Sequence, residues 1–235
     1  MKVNVHALKT AISLAATQCN DFTVRPTDEG WELLVLGAGH TTMIRVMIHK
    51  SAFQDYEVWG DFAFDSADAL DALSTAKDTV DIDISTGRLI MKSNGLKYRK
   101  KLVAIQDDTR ARIPSLDLDA QVVFSIDRLS QLISKGEKKY GTVLMNVDDD
   151  MFTAVVEDEQ EMGVTLELPL SDCEMILGQA RARYPLKPWD EFLKALPKGA
   201  RLDMQFRSDY PLVATYTSEG FDAMWMVAPH IDQGD

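Results

Sequence analysis

The chain has 235 residues, of which 46% are hydrophobic and 26% are charged. This composition is too apolar for a disordered protein, and the length suffices for one or two domains that each bury a core. The formal net charge of −12 excludes a surface that binds nucleic acid everywhere, because phosphate repels an acidic protein, but it permits a local basic surface.

No run of about 18 apolar residues is present, and the N-terminus lacks a basic-then-apolar pattern, so we expect neither a membrane span nor an export signal. Cys19 and Cys173 lack the spacing of metal ligands. We therefore expect two buried free thiols in a reducing cytosol.

The sequence contains a half-chain repeat. A short strand that runs into an amphipathic helix at residues 3–8 recurs at residues 124–129, at an offset of 121. The strands at 31–35 and 152–156 stand at the same offset, each after a turn rich in acidic residues. This period is much longer than the roughly 20–50 residues of solenoid repeats. It predicts two copies of one α+β unit.

Four helices are predicted from apolar residues at helical spacing. They are residues 6–18; residues 67–73 with Asp65 or Ser66 as N-cap; a helix marked by Ile126, Leu129, Leu132 and Ile133; and a helix marked by Trp189, Phe192, Leu193 and Leu196 with Pro188 in its first turn.

Most of the remaining chain alternates between apolar and polar residues, which predicts strands separated by Gly, Asn or Asp turns. These strands are 22–26, 31–36, 43–48, 80–85, 88–92, 97–105, 143–147, 152–157, 164–170, 202–207, 211–217 and 223–227. The predicted fold class is α+β, with two similar domains that each consist of an antiparallel sheet carrying two helices on one face. The predicted domains are residues 1–108 and 121–235, joined by a polar connector at residues 109–120 that contains Pro114.

Motifs of catalytic or metal chemistry are sparse. The segment from Gly37 to His40 lacks the third glycine of a dinucleotide-binding loop, and a tight turn explains it better. The four histidines are scattered without i, i+4 pairs, and the acidic run at residues 148–150 corresponds to an ordinary hairpin turn in the first repeat. We therefore expect a binding protein without catalytic residues, metal or cofactor.

Two short segments concentrate positive charge. They are residues 97–101, with the sequence Lys-Tyr-Arg-Lys-Lys, and residues 135–139, with the sequence Lys-Gly-Glu-Lys-Lys. Each is either a local basic stripe within an acidic shell or simply a solvated strand edge or helix end.

The C-terminal stretch resembles the closing strands of the proliferating cell nuclear antigen (PCNA) family, the sliding clamps of archaeal and eukaryotic DNA replication. The resemblance rests on residues 209–213 (Asp-Tyr-Pro-Leu-Val), Gly220-Phe221 and residues 226–232 (Met-Val-Ala-Pro-His-Ile-Asp). The turn at residues 28–30, the loop at Gly39-His40 and the linker Ile113-Pro114 also resemble the family. The shorter second domain and the segment 174–184 depart from its pattern, so a divergent or viral member fits as well.

The resemblance implies a homotrimeric ring that encircles double-stranded DNA without reading its sequence. Such a ring is a processivity factor that tethers DNA polymerase, a clamp loader and other replication and repair enzymes to the template. It implies no enzymatic activity and no cofactor, and a location on the nucleoid in the cytoplasm, or in the nucleus of a eukaryote. The implied DNA-facing residues are Lys9, Lys101, Lys135, Lys138, Lys139 and Lys194. The second helix departs from this expectation because Asp65, Asp68 and Asp71 make it acidic.

The resemblance also implies a subunit interface and a pocket for partner peptides. The interface pairs the strand 97–105, with Lys100, Lys101 and Leu102, with a strand in residues 173–183, with Met175, Ile176 and Leu177. The pocket comprises Leu36, His40, Thr41, Ile113, Leu118, Pro211, Met226, Val227, Ala228 and Pro229.

Two alternatives remain open from the residues alone. One is a two-domain α+β enzyme or small-molecule-binding protein whose site has no recognisable motif. The other is an oligomeric adaptor that does not bind DNA.

Overall fold

The structure, a computed structural model, describes residues 1–105, 112–136, 139–148, 150–158 and 162–231. The chain divides into two compact units. Unit 1 comprises Met1–Arg112 together with Thr217–Met224, and unit 2 comprises Ile113–Tyr216 together with Trp225–Asp235. A short segment late in the sequence therefore belongs to the first unit. The predicted domain boundaries at residues 108, 109, 120 and 121 stay predictions, and residues 109–111 of the connector lie outside the described residues.

The described residues of unit 1 form two α-helices and the strands of two antiparallel sheets. Its elements are β1 (Lys2–Asn4), α1 (Val5–Ala16), β2 (Asp21–Thr27), β3 (Gly30–Leu36), β4 (Thr42–His49), β5 (Phe53–Gln54), β6 (Phe62–Asp65), α2 (Ser66–Ser74), β7 (Thr79–Ser85), β8 (Arg88–Ser93) and β9 (Leu96–Lys101). One sheet has the strand order β5-β1-β7-β8-β9, and in the other β4, β3, β2 and β6 are adjacent in this order.

Unit 2 repeats this arrangement. Its elements are β10 (Ala120–Ser125), α3 (Asp127–Gly136), β11 (Thr142–Asp148), β12 (Met151–Glu157), β13 (Gly163–Pro169), β14 (Met175–Leu177), β15 (Ala180–Pro185), α4 (Leu186–Ala195), β16 (Arg201–Phe206), β17 (Leu212–Ser218) and β18 (Phe221–Val227). Strands β14, β10, β16, β17 and β18 are adjacent in one sheet, and the other has the order β13-β12-β11-β15. The predicted α+β fold of two similar domains is confirmed, with two sheets per domain where the sequence predicted one.

The strand registers extend the repeat to the level of residues. In unit 1, Trp31 of β3 lies opposite Ile48 of β4, and in unit 2 Phe152 of β12 lies opposite Leu168 of β13. All four side chains are buried. The offset is 121 residues on β3 and 120 residues on β4, which gives every residue of β13 a defined counterpart on β4.

The helices begin where the sequence supplies a cap or a suitable backbone. Asn4 caps α1 by accepting a hydrogen bond from the Ala7 N–H at 3.0 Å, and Asp65 caps α2 by accepting one from the Asp68 N–H at 2.8 Å. Pro185 stands at the N-cap of α4 and offers no side-chain bond. The buried faces of the helices pack on each other in pairs, α1 with α2 and α3 with α4.

Two sequence predictions need correction. The strand predicted at 97–105 ends at Lys101, because its hairpin partner β8 begins at Arg88, which lies opposite Lys101; beyond it only Val103 makes an isolated bridge among the described residues. The cysteines are free, as predicted, but Cys19 is exposed and Cys173 is half-buried. Burial raises the pKa of the Cys173 thiol, and the charge of Asp172 adds to this effect.

Within the described part of the chain, no helix is both long and apolar enough to cross a membrane.

Candidate nucleic-acid interface

The outward face of α1 is narrow and weakly basic. Its buried residues are almost all apolar, and only His6 and Lys9 are fully exposed on the helix. Lys9 therefore lies where it was predicted, on a helix surface from which its ammonium group reaches solvent. A cation in this position attracts phosphate without contacting base edges.

The acidic residues of α2 are largely engaged by the protein itself. Asp65 is the N-cap, and the Asp68 carboxylate accepts a hydrogen bond from Lys100 Nζ on β9 at 2.7 Å. Asp71 lies 4.0 Å from the same ammonium, and its side chain is 70% exposed. The hydrogen bond to Asp68 raises the pKa of Lys100, so the lysine stays charged. One lysine thus partly offsets two carboxylates.

The surface of α3 carries more positive charge. Arg128 and Lys135 lie on the helix with their side chains reaching solvent, and Lys139 is exposed just after it. Arg128 also contacts Asp172 at 2.6 Å. Lys138 lies outside the described residues. Sequence reasoning missed Arg128, although its spacing of seven residues from Lys135 places both on one helix face.

The surface of α4 combines two lysines with one glutamate. Lys187, Glu191 and Lys194 lie at helical spacing on its outer side. Lys194 pairs with Asp190, which is only 7% exposed and also accepts a hydrogen bond from the Ser134 hydroxyl of α3 at 3.1 Å. Asp190 thereby joins the two helices of unit 2 and holds Lys194 at the surface. Lys187 was not identified from the sequence.

Lys101 does not lie on the helix side of its sheet. Lys100 points to α2, as its contact with Asp68 shows, and neighbouring side chains on a strand point to opposite faces. Lys101 therefore points away from α2, and we do not include it in the helix surface. Its assignment as a DNA-facing residue stays a prediction.

The predicted interface strands are both at sheet edges. β9 is the last strand of its sheet, with Lys101 exposed and Lys100 half-buried; Leu102, just after it, is half-buried as well. β14, with Met175 and Leu177 exposed and Ile176 buried, is the last strand of another. The longer β13, which the sequence analysis did not single out, is also an edge. Its exposed hydrophobic residue Val164 and the neighbouring Met162 are 44% and 65% accessible.

The residues predicted for the peptide pocket differ in exposure. In unit 1, Leu36 is half-buried at the end of β3, and His40 and Thr41 are exposed in the turn that follows. In unit 2, Ile113 is 40% exposed, and Leu118, Pro211, Ala228 and Pro229 are half-buried. Met226 and Val227 are both buried, so neither is available to a partner in this conformation. A strand that simply alternates would bury only one of these two neighbouring side chains.

The described part of the chain gives no sign of a metal centre. Among these residues, no group of three or more His, Cys, Asp or Glu side chains is arranged to hold a metal ion. The buried Tyr184 hydroxyl donates a hydrogen bond to the Tyr210 carbonyl oxygen at 2.9 Å, and burial raises its pKa. This group is a satisfied core hydroxyl.

The chain is similar over nearly its whole length to archaeal proteins named DNA polymerase sliding clamp. The one from Natronomonas pharaonis is 24% identical over 97% of each chain, and the one from Methanothrix thermoacetophila is 24% identical over 98% of each. No protein-family model matches the chain. Among solved structures, A. fulgidus PCNA bound to the C-terminal region of FEN-1 has a TM-score of 0.89, with 18% identity over 100% of this chain and 99% of that one.

These comparisons confirm two predictions made from the sequence. The fold class is that of the PCNA structures, and the resemblance to the archaeal and eukaryotic type of clamp extends over the full chain. The individual site residues predicted from that resemblance stay predictions.

Proposed function

We propose that this chain is the subunit of a DNA sliding clamp of the PCNA family, a processivity factor that encircles duplex DNA. The observation that carries this proposal is the similarity to archaeal sliding clamps over 97–98% of the chain, joined to the duplicated fold. The clamp tethers DNA polymerase and other enzymes to the template and has no catalytic activity of its own. It acts inside the cell, where the DNA is.

The helices form the DNA-facing surface. Lys9 supplies positive charge on α1, Lys135 and Lys139 supply it on and just after α3, and Lys194 supplies it on α4. To these we add Arg128 and Lys187. The contacts are electrostatic and sequence-independent, so the ring slides. The acids of α2 do not prevent this, because Asp65 and Asp68 are engaged by the N-cap and by Lys100.

The ring closes through edge strands. β9 is one partner, as predicted, and we propose β13 rather than β14 as the other. β14 has only three residues and its central side chain, Ile176, is buried, whereas β13 offers seven residues of backbone. An exposed edge of this length invites uncontrolled pairing unless a specific partner covers it. Head-to-tail pairing of β9 with β13 closes a ring if the rotation permits, and we propose three subunits.

The repeat itself supports this choice. Within unit 1, β4 is covered on its outer edge by the part of β18 that belongs to that unit, and the His49 N–H donates a hydrogen bond to the Gly220 carbonyl at 2.9 Å. β13 is the counterpart of β4, and β9 is the counterpart of β18. The pairing of β4 with β18 inside one chain is therefore a pattern for the pairing of β13 with β9 between two chains.

Clients bind through a short peptide segment. A. fulgidus PCNA is bound to the C-terminal region of FEN-1 in its structure, and we propose that this chain takes comparable segments. The surface we assign in unit 2 consists of Ile113, Leu118, Pro211, Ala228 and Pro229, which are exposed or half-buried and apolar. Leu36, His40 and Thr41 of unit 1 remain candidates. The partners are thus a polymerase, a clamp loader and other peptide-bearing enzymes.

The test compares circular and linear DNA. Protein is loaded on nicked circular plasmid, passed over a gel-filtration column at moderate salt, and the plasmid is then cut once. We expect the protein to co-elute with the circle and to dissociate after linearisation, because enclosure needs no tight contact. Equal retention on both forms would show ordinary binding and refute the clamp.

A further inference from the structure

Five cations lie together on the outer face of β8 and β9. Tyr98 and Lys100 point to α2, where they contact Thr75 and Asp68. The alternate residues of β9, and the β8 residues opposite them, therefore share the other face. We call this group the basic patch; its members, all exposed, are Arg88, Lys92, Lys97, Arg99 and Lys101.

The basic patch is not neutralised within the described parts of the chain. None of its five members has a carboxylate within 4.0 Å among the described residues. Asp81 and Asp83 lie on the same face but on β7, where they are opposite Lys92 and Ile90 of β8. The three cations of the edge strand β9 are thus the least compensated.

The backbone of β9 is oriented for a further strand. The Leu102 N–H donates to the Gly87 carbonyl at 3.0 Å, so alternate N–H groups point to β8 and those between them point away. The N–H groups of Lys97, Arg99 and Lys101 are those that point outward. The basic patch therefore borders a row of backbone donors that lack a strand partner in the described chain.

The edge strand of unit 2 carries the opposite charge. Leu168 of β13 is buried, so Thr165 and Glu167 point to the outer face, where both are exposed. The adjoining hairpin contains Glu157 and Asp158, and the sequence continues with Glu159 and Glu161, which lie outside the described residues. We call Glu157, Asp158 and Glu167 the acidic edge. The Leu170 N–H donates to the Asp150 carbonyl, which leaves the N–H groups of Gly163, Thr165 and Glu167 pointing outward.

The internal pairing of β4 supplies a register. The hydrogen bond from the His49 N–H to the Gly220 carbonyl sets these two residues opposite each other. Because the strands are antiparallel, two residues back along β4 correspond to two residues forward along β18, so Met47 lies opposite Asp222. The counterpart of Met47 on β13 is Glu167, and the counterpart of Asp222 on β9 is Lys97, because Gly95 and Gly220 occupy the same place in their hairpin turns. Transferred to two copies, this register sets Glu167 opposite Lys97 and Gly163 opposite Lys101.

We propose that complementary charges determine how copies of the chain pair. Lys97 of one chain forms an ion pair with Glu167 of the next, and the basic patch contacts the acidic edge. The inference rests on the proposed function, because it assumes that β9 and β13 pair between copies. The internal pairing of β4 has the buried, apolar Met47 at the position that corresponds to Glu167. The proposed junction has a charged residue there instead. Opposite charges directly across two strands favour this pairing and like charges oppose it.

A second copy of the chain explains the patch better than a nucleic acid does. The acidic edge has the complementary charge, and its strand β13 offers outward backbone groups that match those of β9. The counterpart of β13, strand β4, already makes such a pairing inside the chain. These charges favour head-to-tail pairing of β9 with β13, because two β9 edges repel each other and so do two β13 edges.

The experiment uses the full chain and two charge reversals, Lys97→Glu and Glu167→Lys, alone and combined. Sedimentation velocity at low and high salt measures assembly. Each single variant should weaken association roughly tenfold or more, because it places like charges across every junction. The combined variant should regain association, because every junction again holds an opposite pair. Lys77→Glu, a lysine outside the patch with the same change in charge, should assemble as wild type.

A mixing experiment sharpens the test. The combined variant carries the two charges in exchanged positions, so a junction with a wild-type chain places like charges opposite each other. Native mass spectrometry of a mixture with wild-type chain should therefore show two separate populations of rings and few mixed ones. Free mixing, or single variants that assemble like wild type, would overturn the proposal while leaving the clamp intact. Single variants that assemble normally but no longer bind a short single-stranded oligonucleotide would assign the patch to nucleic acid instead. A wild-type chain that stays monomeric at low salt would overturn both this inference and the proposed ring.

Discussion

The two units share their connectivity but differ at one edge and in one helix. In unit 1 the outer edge of β4 is covered by residues of β18, and in unit 2 the counterpart β13 has no strand partner beyond β12 among the described residues. The second helix also differs: α2 carries Asp68 and Asp71, whereas α4 carries Lys187 and Lys194.

This comparison indicates where a duplicated domain has diverged for function. The pairing of β3 with β4 recurs in that of β12 with β13, and both pairs carry buried apolar side chains, as a close-packed core requires. We propose that the open edge of β13 pairs with a second copy. We also propose that α4, with Lys187 and Lys194, contributes more of the DNA-facing charge than the acidic α2.

The largest effect is expected from a proline that blocks strand pairing at the open edge of β9. Lys101→Pro removes an outward N–H and puts the pyrrolidine side chain where the neighbouring strand should pair. We therefore expect trimers to become monomers in sedimentation. Leu102→Pro is less clean, because the Leu102 N–H is bonded to Gly87 within the sheet. Lys101→Ala keeps the N–H and is the matched control. A Lys101→Pro chain that still sediments as a trimer would exclude β9 from the interface.

The next effect concerns client binding, which we assign to unit 2. Ile113→Glu combined with Pro229→Glu places two charges on an apolar surface that must exclude water when a peptide binds. We expect calorimetry to detect no binding of a Gln-x-x-Ile-x-x-Phe-Phe peptide, with the oligomer unchanged. Val58→Glu, which adds a charge at an exposed apolar residue of unit 1 outside the assigned surface, should leave peptide affinity as it was. Undiminished affinity in the first variant would place the site elsewhere.

The charge difference between the helices can be tested from both sides. Changing Lys9, Lys135 and Lys139 to Ala should weaken retention on circular DNA, and the salt slope should fall by about 0.9 for every phosphate that the variant no longer neutralises. Asp71→Lys should have the opposite effect, because it gives α2 the charge that α4 already has. Lys50→Ala, at an exposed lysine outside the four α-helices, is the control. Unchanged retention and slope in the triple variant would mean that these lysines only solubilise helix ends.

The smallest effect separates the beginnings of the two second helices. Asp65→Ala removes the N-cap bond of α2 and should cost about 1 kcal/mol of stability in urea unfolding. Pro185→Ala at the start of α4 removes no such bond and should change stability less. Equal losses of stability in the two variants would contradict this account of the caps.

Features encoded by local periodicity could be predicted from the sequence. The repeat, the four helices and the Asp65 cap follow from spacing and capping chemistry, which neighbouring residues determine. The strands β5 and β6 were missed, because segments of two to four residues show little alternation. β14 was expected only from the family resemblance, as part of a strand in residues 173–183, and β15 was not predicted as a separate strand. The predicted end of β9 was wrong, because pairing stops where β8 stops, and a strand's partner is not a local property.

Facing and burial were the least predictable features. Lys100 and Lys101 are adjacent cations, yet only the position of α2 decides that one contacts Asp68 and the other joins the basic patch. Met226 and Val227 are both buried although a strand ordinarily alternates. The inclusion of Thr217–Met224 in unit 1 has no signal in a linear sequence, because it depends on which strand covers β4.

The most direct test of the account is an image of the isolated particle by electron microscopy at low resolution. The account predicts a closed ring of three chains with a central hole and a mass near three times 26.3 kDa. Six similar domains should be visible around the hole, because each chain contributes two units. A monomeric particle, or an oligomer without a hole, would contradict the sliding clamp.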